Sequence, residues 1–160
     1  MRSIKKSNLL LFLLPLVLFN PTKYKKLYIQ NKILDSHKEV DYIYIPKFNI
    51  KRVILNDTSN KTLDNYYVGR MNLNISNLQI LAGHNINSVF HKIHYLNIND
   101  IVYVNDTIYK VISYKEIRVN DYTILNTKYN CPTLILMTCT TNQNKRYIVT
   151  LKDVKLCQIE

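Results

Sequence analysis

The chain lacks any Cys-x-x-Cys pair, and its three cysteines are an odd number. One thiol is therefore unpaired whatever the other two do. Cys131 and Cys139 are separated by Pro132 and a strand-like run, which holds their α-carbons well beyond the roughly 7 Å that a disulfide allows. Cys131 and Cys157 either pair or act as two small, partly buried hydrophobes. The sequence also lacks a Lys/Arg stripe or an RNA-binding signature to accompany its formal charge of +11. Six of its 22 basic residues (Arg2, Lys5, Lys6, Lys23, Lys25, Lys26) fall before position 27, leaving 16 basic against 11 acidic residues, or +5, beyond it. A domain that mildly basic argues against nucleic acid as a partner and suits a solvated surface, with some attraction to anionic lipid or wall polymers. His91 and His94 stand i, i+3 without Asp, Glu or Cys at a usable spacing, so no metal site is expected and both are read as surface residues of a short helix. No internal repeat or low-complexity block is present. Ala82 is the only alanine, and Asn, Ile, Lys and Tyr dominate in the manner of an AT-rich coding sequence.

The longest apolar run, Leu9 to Phe19, has eleven residues with Lys5 and Lys6 before it. That is shorter than the roughly 20 of a spanning helix and closer to a signal-peptide core. No small-x-small cleavage site follows it, so residues 1–20 are read as an uncleaved signal anchor. Residues 21–39 then form a polar tether with little core potential, and residues 40–160 form the folded unit. The expected placement is a single-pass membrane protein with its domain outside the cell.

From Val40 onward, β-prone runs recur at short intervals: Val40 to Ile45, Ile50 to Leu55, Leu78 to Ala82, Ile101 to Val104, Thr107 to Val119, Thr133 to Cys139 and Arg146 to Leu151. They are rich in Ile, Val and Tyr and divided by Asn, Asp, Pro and Gly, the pattern of an all-β barrel or sandwich. Two short helices fit between them, near Thr62 to Val68 and Ser88 to Tyr95.

Chemistry concentrates where two of these runs meet. Cys139 ends one and Arg146 opens the next, with a polar loop from Thr140 to Lys145 between them. In an antiparallel hairpin such residues lie side by side, roughly 5 Å apart. A permanent cation beside a thiol favours the thiolate, and the planar guanidinium can hold a developing oxyanion, so the pair suits nucleophilic attack on a carbonyl. The missing acid or base is offered by His84, which follows Gly83 at the end of the Leu78 to Ala82 run.

Leu136-Met137-Thr138-Cys139, Arg146 on the next strand and Ala82-Gly83-His84-Asn85 upstream resemble the cysteine, arginine and histidine signatures of the sortase family. Tyr42 to Pro46 resembles that family's first barrel strand, and Phe90 to Asp100 the segment after its histidine. The resemblance spans roughly residues 40–152 and implies a closed all-β barrel of about eight strands with one or two short helices. It also implies a cysteine transpeptidase in which Cys139, His84 and Arg146 are catalytic, and Asn85, Thr138 and Tyr147 are read as shaping the substrate pocket. Its partners would be secreted proteins bearing a sorting signal and an amine from a cell-wall precursor or a pilin, with no metal or organic cofactor. The chain departs from the usual Thr-Leu-x-Thr-Cys motif at Ile135, a position on the same strand face as the cysteine, where an apolar residue changes packing before chemistry. The short segment from Asn120 to Cys131 leaves little room for an inserted helix or a lid, which suggests a compact class A or class D-like core. The rival readings are a non-catalytic, membrane-tethered barrel of the same shape and an OB-type nucleic-acid binder, which leaves the His84, Cys139 and Arg146 arrangement unexplained.

Overall fold

Strands β1 (Tyr42–Ile45), β2 (Ile50–Leu55), β3 (Val68–Arg70), β4 (Leu78–Ala82), β5 (Ile101–Val104), β6 (Thr107–Arg118), β7 (Thr133–Cys139) and β8 (Lys145–Asp153) account for the β-prone runs and add one short strand. They close into a barrel in the order β1-β2-β3-β4-β7-β8-β6-β5. Closure leaves no free edge, which a chain this rich in β-branched and aromatic residues would otherwise expose to aggregation. The computed structural model describes residues 21–36, 39–142 and 144–158. The run read as a membrane anchor lies outside the described residues.

The barrel interior follows from alternation. In β1, Tyr-Ile-Tyr-Ile turns Ile43 and Ile45 inward, both fully buried. Leu134 and Leu136 of β7, Val149 and Leu151 of β8 and Val102 of β5 do the same, and Val89, Phe90 and Ile93 enter from the segment after β4. A second apolar layer lies outside the barrel wall, where Ile80, Ile117, Ile124, Ile135 and Ile148 cluster. Strands β4 and β7 are thus buried on both faces, and they read as nearly continuous apolar runs for that reason.

The outer layer is covered by the connection from β6 to β7. That connection holds a one-turn helix, α3 (Thr123–Asn126), where the sequence leaves little room for a helix. Asp121 accepts the Thr123 amide at 3.0 Å and the Tyr129 hydroxyl donates to the Ile124 carbonyl at 2.6 Å, so two side chains close the loop in place of length.

The two short helices expected between the strands differ in extent and type. The helix read near Thr62 to Val68 is only α2 (Asn60–Asp64), started by the Ser59 cap, and Val68 already belongs to β3. A strand of three residues is too short to show its period. The segment read as a polar tether contains a helix, α1 (Pro21–Asp35), that docks through hydrogen bonds in place of an apolar stripe: Lys26 Nζ donates to the Asp64 carbonyl at 2.6 Å and Gln30 Nε2 to the Asn65 carbonyl at 2.9 Å. The helix near Ser88 to Tyr95 is a 3-10 turn, His91–Tyr95.

Cys131 and Cys157 are joined in a disulfide with α-carbons 5.6 Å apart, leaving Cys139 as the free thiol. Its sequence separation of 26 implies about 3.5 kcal/mol from the loss of unfolded-chain entropy. A Cys131→Ser, Cys157→Ser double variant should therefore lose about 3 to 4 kcal/mol in urea denaturation; a midpoint equal to that of the parent would show that the two thiols are not joined.

Gly83, directly after β4, is fixed by space and not by backbone angle. A β-carbon there would fall 2.7 Å from Phe90 Cδ2 and 2.8 Å from Val89 Cγ1, and both residues are fully buried. Neither can move without opening the core. Gly83→Ala should cost about 1 to 3 kcal/mol by overpacking, read as a lower thermal and urea midpoint; an unchanged midpoint would show that this corner is loosely packed.

Candidate active site

Cys139 is the last residue of β7, and in the β7–β8 hairpin it pairs directly with Arg146. On the other side β7 runs parallel to β4, with Ala82 opposite Met137. The pairing continues beyond the strands: the Gly83 amide donates to the Met137 carbonyl at 3.1 Å, and the Thr138 hydroxyl donates to the Gly83 carbonyl at 2.8 Å. Adjacent strands lie about 4.8 Å apart. His84, Cys139 and Arg146 therefore leave one end of three neighbouring strands together, with His84 beside the cysteine strand and not across the barrel from it. The His84 carbonyl accepts the amides of Ile86 at 2.9 Å and Phe90 at 3.1 Å, which fixes the backbone from which the imidazole projects.

Cys139 shares its strand face with Met137 and Ile135, the face that the outer apolar layer covers. Between that layer and α3 is a hollow of about 210 Å³ lined by Met71, Ile80, Ile117, Leu125, Met137 and Arg146, among others. An apolar groove thus leads to the strand end where the thiol and guanidinium lie. Ile135, at the position where the motif usually has Thr, is buried in the same layer against Ile80 and Ile148. An apolar side chain suits that site.

The three residues read as pocket-shaping have other positions. Thr138 and Tyr147 face the opposite side of their strands; Thr138 is buried with its hydroxyl committed to Gly83, and Tyr147 belongs to the barrel interior. The Asn85 carboxamide oxygen is 2.8 Å from His91 Nδ1. Like Cys139 and His84, the three are not among the residues that line the hollow. For Thr138 and Tyr147 the two-residue period turns the side chain to the other strand face from Cys139 and Arg146.

His91 and His94, read as surface residues, are half-buried at the barrel mouth. The His94 ring lies 4.1 Å from that of Tyr147 and 6.2 Å from that of His91. Burial, and then the nearby His91, push the His94 imidazole below its ordinary pKa. Among the described residues no group of three His, Cys, Asp or Glu is placed to hold a metal ion.

The groove residues Met71, Ile117 and Leu125 were not anticipated from the sequence, although the two-faced apolar character of β4 and β7 implied a cover. Asp64 was not anticipated either. Its Oδ1 lies 2.9 Å from His84 Nε2, and nothing in a residue twenty positions upstream announces that contact.

Solved structures share this architecture. Sortase A of Listeria monocytogenes superposes with a TM-score of 0.63 at 20% identity, over 71% of this chain and 86% of that one. Sortase E1 of Streptomyces coelicolor, with a tripeptide in its active site, gives 0.64 at 24% identity over 73% and 88%. A sortase D5 transpeptidase of Clostridium perfringens gives 0.62 at 23% identity over 84% and 99%. No curated protein matches the chain by sequence. A family model of the sortase domain matches residues 43–154, most of the barrel and the strand ends that carry His84, Cys139 and Arg146. The chain belongs to the sortase family of cysteine transpeptidases.

Proposed function

We propose that this transpeptidase acts through Cys139 on the C-terminal sorting signal of secreted proteins. The Cys139 thiolate attacks the backbone carbonyl of a Thr in the signal, and Arg146 stabilises the oxyanion of the tetrahedral intermediate. The carbon–nitrogen bond then breaks, and the leaving amine takes its proton from His84. The product is a thioacyl enzyme. An acceptor amine attacks the thioester carbonyl, gives its proton to His84, and the carbon–sulfur bond breaks to return the thiolate. Forming the thioacyl enzyme uses up the thiolate and imidazolium pair and leaves a neutral imidazole; the pair returns when the acceptor amine gives up its proton and the thiolate leaves.

The observation that carries this reading is the pairing of Cys139 with Arg146 at the strand end where His84 also emerges. The apolar hollow beside Met137 supports it, because it would take the apolar side chains of an extended signal while backbone and thiol meet at its mouth. The acceptor would be an amine of a peptidoglycan precursor or stem peptide, or a pilin lysine. Residues 1–20 would serve as the membrane anchor that holds the domain outside the cell beside its substrates. Helix α1 would begin where that anchor ends.

Incubating the protein with a panel of sorting-signal peptides should give a thioacyl adduct, seen by intact mass and localised to Cys139. Iodoacetamide at neutral pH should alkylate Cys139 alone and prevent the adduct, because the other two thiols are paired. Arg146→Lys keeps the charge and loses the planar fork, so turnover should fall about 10²- to 10³-fold, the cost of losing an oxyanion donor. An adduct that persists in Cys139→Ala would remove the assignment of the nucleophile. Peptides that bind without acylating an intact thiol would favour the non-catalytic barrel.

Placement is checked separately. The protein should stay in membranes through carbonate extraction with its N-terminus intact by mass spectrometry; a mature chain that starts after Asn20 and washes off would show a cleaved signal.

A further inference from the structure

His84 is held from a side that the transpeptidase chemistry does not use. Its Nε2 faces Oδ1 of Asp64 at 2.9 Å, and Asp64 is the last residue of α2. The Asp64 side chain is 64% exposed and that of His84 35%. As an ion pair at that exposure the contact adds little stability. Its consequence is for the ring: a carboxylate that accepts a proton from one imidazole nitrogen fixes both the tautomer and the ring orientation.

The carboxylate is itself held at both ends of its helix. At the start, Ser59 Oγ accepts the Thr62 amide at 3.4 Å and the Thr62 hydroxyl donates to Asp57 at 2.6 Å. At the finish, α1 supplies donors to the terminal carbonyls: Lys26 Nζ to Asp64 O at 2.6 Å and Gln30 Nε2 to Asn65 O at 2.9 Å, with Lys26 also 5.2 Å from the Tyr66 ring centre. A cation and an amide donor at a helix C-terminus satisfy carbonyls that have no partner within the helix. Gln30 is fully buried there, in a helix that is otherwise polar. Burying a carboxamide is costly unless its hydrogen bonds are made; the Nε2 bond to Asn65 offsets part of that cost, while Gln30 Oε1 has no hydrogen-bond partner among the described residues.

We infer that Asp64 is a positioning residue for His84, and that α1 keeps it in place by gripping the end of α2. The carboxylate accepts a hydrogen bond from Nε2–H, and Nδ1 becomes the nitrogen that exchanges a proton with the thiol and the two amines. The second half of this inference rests on His84 being the proton carrier; the first half does not.

The test is a long-range ¹H–¹⁵N correlation spectrum of the imidazoles in the ¹⁵N-labelled full chain in detergent micelles, with the His84 signals assigned from His84→Gln. In its neutral form His84 should show the Nε2–H tautomer. Asp64→Ala should give a tautomer mixture, Asp64→Glu should restore the parent pattern, and Lys26→Met with Gln30→Leu should move it part of the way. In peptide acylation, Asp64→Ala should lower kcat about tenfold and leave KM unchanged. A His84 spectrum that is the same in Asp64→Ala overturns the inference, whatever the activity. A spectrum that responds to Asp64 in a chain that acylates no peptide supports the positioning contact and removes the proton-carrier reading instead.

Discussion

The parallel pairing of β4 with β7 is the contact on which the site depends. It joins Leu78–Ala82 to Thr133–Met137 and ends in the Thr138 hydroxyl bound to the Gly83 carbonyl, a contact across 55 residues of sequence. Most other neighbours in the barrel are antiparallel and several are short hairpins, such as β1–β2 and β5–β6. Those pairings can form locally. A parallel pair cannot, because its strands need a long crossover, and here that crossover includes β5, β6 and α3. His84 and Cys139 therefore lie side by side only when the chain between them, with β5, β6 and α3, has folded back. A buried side-chain hydroxyl at the last step of the pairing holds the two chain segments at the point where the ladder would otherwise fray.

The same two strands make the groove. Because β4 and β7 have apolar residues on both faces, the barrel needs a cover on its outer wall, and α3 with its flanking loop provides one that is incomplete. The remaining hollow lies over Ile80 and Met137 and reaches Arg146. Catalytic and binding surfaces are thus two consequences of one strand: β7 delivers the thiol at its tip and the groove floor along its outer face. This explains why Ile135 is compatible with the site. It is a floor residue, buried among isoleucines, four residues from the thiol.

Where local pattern decides structure, the sequence was readable. The period of two in β1, the hairpin that pairs Cys139 with Arg146, and the glycine that ends β4 before His84 all follow from residues a few positions apart. What could not be read depends on distant partners. The three residues of β3 have no period to show, and their identity as a strand comes from β2 and β4 on either side. Helix α1 carries no apolar stripe, and two of its polar side chains reach carbonyl oxygens at the end of α2. The pairing of Cys131 with Cys157 needs the C-terminal turn to come back to the start of β7, which the Cys157 amide bonded to Asp153 helps to achieve. Thr138 and Tyr147 adjoin reactive residues in sequence, and strand alternation turns both to the opposite strand face from Cys139 and Arg146.

With only two glycines, the chain shows what it cannot do without. Left-handed backbone, the usual reason for glycine, is supplied by Asn49, Asn77, Asn99 and Asn105, joined by Tyr66 and Gln158, and neither glycine has a positive φ. Asparagine tolerates that conformation because its short side chain can bond locally. It cannot substitute where there is no room for a β-carbon. At Gly83 a β-carbon would strike Phe90 and Val89; at Gly69 it would fall 2.5 Å from the Asp57 carbonyl oxygen and 3.0 Å from the Thr58 α-carbon. The first glycine supports the backbone immediately before His84. The second lets β3 pack against the Asp57–Thr58 turn, from which Asp57 bonds into α2 and so bears on the helix that ends at Asp64. Both close approaches converge on the same imidazole, one through its own chain and one through the carboxylate that faces it. A composition this short of glycine has kept it at the two supports of His84, where no other residue type would fit.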